Sequence, residues 1–338
     1  MSWLPFIIKR FAGLLLLLII LSILVFSLSR ALPGDPAAMY VGSKAKPGQI
    51  AEARRLLGLD QPLYIQYLRY MQRLMKGDLG VSFRTHRPVM QDLFEKLPLS
   101  LEVVLWALLL SLIVGVPSGV AAAYRQGTVI DSLVNWLSSA SVSMPVFFLA
   151  LLLQLVFFNW LGWFPLQGRI STILEFGDPL PVITRISLVD ALIAGRIDYF
   201  TDIAWHMLLP TLSLAAIPLG WVARLTRSSL LEVMEQDYIL AGRASGISER
   251  LLYFRYGLRN ALSPVLSVLG LSLAMMLLAT FYIEQIFNWP GIGYYSLQAI
   301  ISLDYPVLMG VTLVIGGIYV FSNTIVDIVR RLIDPRIK

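Results

Sequence analysis

The chain has 338 residues, 57% of them hydrophobic and only 14% charged, against roughly 25% charged in an ordinary soluble domain; its mean hydropathy is +0.73. A soluble protein of this length could not hide so much apolar surface from water, so composition argues against a soluble enzyme and for one integral membrane unit. The net charge of +6 reads as arginines held on the cytoplasmic side of a membrane rather than a nucleic-acid footprint. The lack of cysteine excludes disulfides, thiolate metal sites and a cysteine nucleophile, and two histidines, His86 and His206, are too few for a His-rich metal site.

Six apolar stretches are long enough, or nearly so, to cross about 30 Å of hydrocarbon as helices. They are Phe11–Leu28, Val103–Tyr124, Leu133–Phe158, Met207–Ala223, Ala261–Ile283 and Tyr305–Val326, with uncharged interiors. The first follows Lys9 and Arg10 as a signal peptide would. Its apolar run is too long for one, and Ser29-Arg30-Ala31-Leu32-Pro33 is not a clean cleavage site, so it reads as an uncleaved span. With the N-terminus inside, Arg125, six arginines between spans four and five, and the basic tail all fall inside. The loop after span three carries three arginines against five acids, and the loop after span five no Lys or Arg. Both termini are then cytoplasmic. Residues 31–102 carry many basic residues outside, but exceed the length over which the charge rule acts.

That long loop reads as structured. Tyr64, Tyr67, Leu68, Met71, Leu74 and Met75 fall at helical spacing, with Arg69, Arg73 and Lys76 off that face. Such a helix packs on the outer ends of the spans, lies in the lipid interface, or docks a soluble partner. The loop Leu161–His206 must turn repeatedly at Pro165, Gly168, Pro179 and Pro181.

No phosphate-cradling G-x-x-x-x-G-K-[ST], no H-E-x-x-H and no G-x-S-x-G occurs. The spans hold no mid-membrane ionisable group, which argues against a proton-relay transporter, a voltage sensor and an intramembrane aspartyl protease. Uphill transport would need energy from another subunit.

The most informative segment is residues 224–260, between spans four and five. Ala241, Gly242, Ala244, Ser245 and Gly246 form a small-residue surface that another backbone can approach closely. Gly246 can end a helix in a left-handed cap, and Ser248 can cap the next. Arg243, Arg250, Arg255 and Arg259 then face the cytoplasm or lipid headgroups. The residues alone leave two readings: a docking element, or a helical loop whose arginines only set topology.

The segment resembles the EAA loop of the permease subunits of bacterial ABC importers, in the form found in the dipeptide/oligopeptide group. It carries Arg224-Leu225-Thr226-Arg227-Ser228-Ser229, then Asp237-Tyr238-Ile239-Leu240-Ala241-Gly242-Arg243-Ala244-Ser245-Gly246, then Leu258-Arg259-Asn260-Ala261-Leu262 with Pro264. Similar motifs recur in order along the chain. They include Pro33-Gly34-Asp35-Pro36, Leu57-Gly58-Leu59-Asp60, Gly77-Asp78-Leu79-Gly80 with Ser82, and Ser143-Met144-Pro145-Val146-Phe147. His206-Met207-Leu208-Leu209-Pro210, Glu284 to Gly293, Asp304-Tyr305-Pro306 and Asp334-Pro335-Arg336-Ile337 complete the series. The long loop after span one is similar to that of the B-type permease of the pair. Gly242 stands where the general loop has alanine and Leu240 where it has glutamate, which predicts a less stiff coupling helix.

The resemblance implies an all-α integral membrane protein with six transmembrane helices and the type I ABC importer permease fold. Residues 1–30 would form the N-terminal segment and first span, 31–102 the long extracytoplasmic loop with its amphipathic helix, and 103–338 a five-helix core. It implies a bacterial inner-membrane subunit importing di- or oligopeptides; related permeases carry oligosaccharides, nickel or glutathione. A stand-alone channel or secondary transporter, or a membrane-embedded enzyme, is the rival class. The implied partners are a second homologous permease, two ABC ATPases, an extracytoplasmic substrate-binding protein and lipid, with no nucleic acid. ATP and Mg2+ would sit on the ATPases, and this chain would bind no cofactor and catalyse no covalent step. Asp237, Tyr238, Ala241, Gly242, Arg243, Ala244, Gly246, Arg250 and Arg259 would couple to the ATPase. Ser141, Ser143, Met144, Pro145 and Glu284 are the candidates for the translocation path. Each has a plainer reading: Pro145 as a tolerated kink with hydroxyls repairing the backbone, Glu284 as an interfacial cap beside an interfacial Trp289. Asn135 and Gln154 could line a cavity or bond a neighbouring helix. Asp35 and Asp78 read as turn residues, and His206 as hydrogen-bonded rather than metal-ligating.

Overall fold

The computed structural model describes residues 3–31, 35–42 and 45–333. Of the motifs above, Pro33-Gly34 and the Asp334–Ile337 run lie outside them. The helices follow in chain order as α1 (Trp3–Ala31), α2 (Pro36–Val41), α3 (Pro47–Leu56), α4 (Leu63–Met75), α5 (Val89–Tyr124), α6 (Val129–Ser143), α7 (Val146–Leu153), α8 (Thr172–Glu175) and α9 (Ser187–Ile193). Then come α10 (Ile197–Met234), α11 (Asp237–Ala244), α12 (Glu249–Leu251), α13 (Leu258–Ile286), α14 (Ile292–Ile301) and α15 (Tyr305–Ile333). Gln154–Trp160 and Leu252–Gly257 are wound as π-helix. Among the described residues the only strand-like pairing is a single bridge, Val81 to Pro88.

Five helical stretches are long and apolar enough to cross a membrane, or six if α6 and α7, bent by 107°, make one broken span. The expected single helix over Leu133–Phe158 is therefore two. Met144 (φ −92, ψ 126) and Pro145 (φ −57, ψ 135) are both extended. Proline lacks the N–H that a continuing helix needs and disfavours the helical region for the residue before it. The helices also outrun the apolar windows. α5 begins at Val89 rather than Val103, and α10 runs from Ile197 to Met234, about 57 Å at 1.5 Å per residue. Their additional turns carry charge, which hid them from a hydropathy reading.

The chain divides into two compact units. The first is Met1–Pro98 with Tyr294–Phe321. Here α4 is the helix expected from periodicity, and the edge of its apolar face that carries Tyr67 meets its neighbour. Tyr67 Oη lies 2.9 Å from Ser22 Oγ, Tyr70 stacks on Phe26 at 5.8 Å, and Arg30 Nε donates to Gln66 Oε1 at 2.9 Å. Tyr64, Leu68 and Met75, on the other edge of that face, are exposed. Polar tips, invisible to an apolar count, set the contact with α1. Asp35 caps α2 through the Ala37 N–H, and Asp78 accepts from Gly80 N, as turn aspartates do. Ser82 Oγ and Arg84 N donate to the buried Asp304 carboxylate at 2.6 and 3.1 Å, which ties the Gly77–Ser82 motif to the Asp304-Tyr305-Pro306 motif.

The second unit is Leu99–Gly293 with Ser322–Lys338. α10 is its axis, packed by α6, α7, α9 and α13. Close crossings depend on missing side chains: a Cβ at Gly220 would stand 2.8 Å from the Ser138 carbonyl oxygen of α6. Glu102 on α5 accepts from the N–H groups of Ser187 and Leu188 at 3.1 and 2.7 Å, holding the N-terminus of α9. Trp289, expected at the lipid interface, is fully buried, with its Nε1 donating to Leu99 O at 3.1 Å.

Candidate coupling site

Local chemistry explains the turn at the centre of the 224–260 segment. α11 runs from Asp237 to Ala244, and Gly246 follows in the left-handed conformation at φ +80. Ile247 N donates to Gly242 O and Gly246 N to Arg243 O, both at 3.1 Å, which is the paired closure of a Schellman motif. Ser248 occupies the cap position of α12 with extended backbone, but its side chain makes no cap bond; its carbonyl accepts from Leu252 N instead. α12 passes through π-helix into α13, so a short helix, a sharp turn and a helix feeding a span stand where the sequence placed them.

Two buried anchors hold the element. Ile239 and Leu252 join Leu230, Met234, Val120, Ala123 and Ala261 in one apolar cluster that links α11 and the π-turn to the ends of α5, α10 and α13. α11 passes unbroken through Gly242, and the glycine has a packing reason: a Cβ there would meet Leu252 Cδ2 at 3.0 Å. Tyr238 Oη accepts from Asn260 Nδ2 at 2.7 Å. Arg243 is bidentate to Glu249 across the turn, with Nη2 to Oε2 at 3.1 Å, and this bond raises the arginine's pKa.

What remains is an outward surface. Asp237, Tyr238, Leu240, Ala241, Arg243, Ala244, Gly246, Arg250 and Arg259 are exposed, as are Leu251 and Phe254; Gly242 is half-buried toward the core. The expected coupling residues thus lie on α11, the turn after it, α12 and the start of α13. Sequence reasoning missed its brace. Arg227 on α10 is bidentate to Asp131 in the first turn of α6, with Nη2 to Oδ2 at 2.8 Å. Asp131 also accepts from Gly127 N at 3.0 Å and Asn135 Nδ2 at 2.8 Å. Arg227 stands out in the sequence as a topology-setting arginine and as part of the Arg224–Ser229 motif, neither of which names its partner, and Asp131 as an acid in the first turn of a helix.

The path candidates fall in two places. Ser141, Ser143, Met144 and Pro145 lie at the α6–α7 break; Ser141 Oγ bonds Leu137 O at 2.7 Å and Ser143 Oγ bonds Ser139 O at 2.8 Å, each four residues back. Glu284 is not at the start of a loop but in the last turns of α13, 2% exposed and accepting from Ser100 Oγ. Ser100 Oγ in turn accepts from Ile292 N at 2.7 Å. The exposed rings of Phe147 and Tyr282, 6.2 Å apart, join the start of α7 to α13. Asn135 bonds its own helix, whereas Gln154 Nε2 reaches Leu166 O at 2.8 Å and Ile286 O of α13 at 3.2 Å. His206 Nδ1 lies 2.9 Å from Asp202 O, within α10.

Comparison with known proteins places the chain in a family. Residues 115–338 match the family described as "Binding-protein-dependent transport system inner membrane component", and residues 3–104 match its N-terminal companion. The chain is 38% identical over 330 residues, 98% of each chain, to the dipeptide transport system permease protein DppB of Alkalihalophilus pseudofirmus. It is 39% identical over 329 residues, 97% of this chain and 96% of the other, to the probable D,D-dipeptide transport system permease protein DdpB of Escherichia coli K12. It is 35% identical over 337 residues, 99% of each, to the dipeptide transport system permease protein DppB of the same strain. With the family match covering the helices that carry the turn and its brace, the chain belongs to the inner membrane components of binding-protein-dependent transport systems.

Proposed function

We propose that this chain is one of two homologous permease subunits of an ATP-driven importer of di- and oligopeptides. It crosses the inner membrane six times with both termini in the cytoplasm, in the type I importer fold. A soluble binding protein delivers the peptide outside, and two ATPase subunits carry ATP, Mg2+ and the hydrolysis. The peptide assignment rests on the names of relatives that match over nearly the whole length. The chain itself catalyses no covalent step; its share is half a path, with Ser141, Ser143, Met144, Pro145 and Glu284 at or near it, and a lever.

The observation that carries the reading is the α11–α12 turn, exposed outside and anchored inside by Ile239 and Leu252. A rigid knob fixed to the ends of three long helices converts the closing of an ATPase pair into rigid-body rocking of those helices. Gly246 faces open space, with no atom within 4 Å of where a Cβ would stand. A tryptophan there would meet the partner, not this chain. In proteoliposomes holding the complete complex, Gly246→Trp is expected to abolish peptide uptake while ATP hydrolysis and assembly persist. Gly246→Asn, which tolerates the left-handed backbone, is expected to keep uptake and so separates bulk from strain. Unchanged uptake by Gly246→Trp would overturn the coupling assignment.

A further inference from the structure

Within the first unit lies a cavity of about 480 Å3 that the transport reading does not use. Its wall is strongly cationic. Arg30 ends α1, and Arg69, Arg73 and Lys76 project from α4 and its C-cap, against one carboxylate, Asp78, which already accepts from Gly80 N. Among the described residues none of these four cations is ion-paired. Arg30 is half-buried, fixed by Gln66 and by the Phe26 ring at 5.2 Å, and it feels the like charge of Arg73. Arg69 Nη1 passes over Gly58, where a Cβ would stand 2.8 Å away.

A second observation also points to a ligand. Tyr70 lines the cavity at 7% exposure, and its hydroxyl is buried with no hydrogen-bond partner. Buried polar groups are ordinarily satisfied, so an orphan O–H in the wall that also holds these guanidinium groups calls for an acceptor that brings negative charge. Burial pushes the phenol up to about 12, so it remains a donor at neutral pH.

We propose that this cavity holds the phosphate of an anionic phospholipid. Its place in the fold selects lipid over a dissolved anion. Arg30 closes an apolar helix of membrane-spanning length, which sets it at headgroup depth. Leu24 and Leu28 precede Arg30 on α1, and Leu68 precedes Arg69 on α4; all three are exposed and offer an apolar flank for acyl chains.

The test is native mass spectrometry of the full chain, purified in mild detergent with its co-purifying subunits and exchanged against phosphatidylglycerol or phosphatidylcholine. The wild type is expected to retain phosphatidylglycerol selectively. Tyr70→Phe should weaken retention about tenfold, and the Arg30→Gln/Arg73→Gln double variant should abolish it. Arg84→Gln, outside the cavity, should leave it unchanged, and excess inorganic phosphate should not displace the lipid. Equal retention of the two lipids, wild-type retention by the Tyr70→Phe and double variants, or displacement by inorganic phosphate would each overturn the proposal. Elution volume reports folding, and should the double variant misfold, Tyr70→Phe alone decides.

Discussion

Arg227 and Asp131 carry opposite charges on two different helices, and each is largely withdrawn from water, at 22% and 8% side-chain exposure. Asp131 receives two further donors, so its acceptor capacity is well used. Removing one partner leaves the other partly buried and unpaired, which costs more than the pair is worth. Arg227→Met should therefore destabilise the protein by about 1–3 kcal/mol, read as a lowered thermal midpoint in detergent. Asp131→Asn keeps the shape and should cost less. In the double variant no charge is stranded, so its loss should be smaller than the sum of the two single losses. Strictly additive losses would show that the two side chains do not depend on each other. Gly242 makes the opposite point at the same scale. It breaks the expected alanine pattern, yet a Cβ there would stand only 3.0 Å from the Leu252 methyl.

Helix crossings are where sequence and structure part. The turn at Gly246 was legible because a left-handed cap is local chemistry: a glycine, its preceding helix and an apolar residue after it. The break at Pro145 was legible in position but not in angle, since proline dictates that a helix stops and not where the chain then goes. The Arg227–Asp131 and Ser82–Asp304 contacts join distant parts of the chain, and a single sequence does not encode a partner's number. One crossing was legible and overlooked. Gly115 and Gly119 stand four apart on α5, the small-residue spacing that lets two membrane helices meet closely. A Cβ at Gly115 would lie 2.8 Å from Val222 Cγ1 of α10, and one at Gly119 would strike the Ala223 carbonyl oxygen and stand 2.6 Å from Thr226 Cβ. Gly119→Leu should thus separate α5 from α10 at the level where both support the Ile239–Leu252 cluster. Size-exclusion of a fluorescent fusion should show loss of the folded peak. Gly13→Ala, on α1 with nothing within 4 Å, should elute as the wild type.

At the scale of the whole molecule, the α6–α7 bend decides which side of the membrane the coupling element occupies. If the bent pair crosses, three crossings separate residue 48 from residue 245: α5, the pair and α10. If it dips in and returns, two do, and both residues lie on one side. Charge distinguishes the two. With a crossing pair, Arg125 and the six arginines of 224–259 fall on the side of Lys9 and Arg10; with a re-entrant pair those six fall on the opposite side. Placing so many arginines outside works against the membrane potential and the insertion bias, so the crossing arrangement is expected. The lack of native cysteine makes the experiment clean, because a single introduced thiol is the only target. Gly48→Cys and Ser245→Cys are both at exposed positions. In intact spheroplasts an impermeant maleimide should label Gly48→Cys at once and Ser245→Cys only after permeabilisation. Labelling of both from outside would make the pair re-entrant, put the α11–α12 turn beyond reach of ATP, and remove the physical basis of the lever.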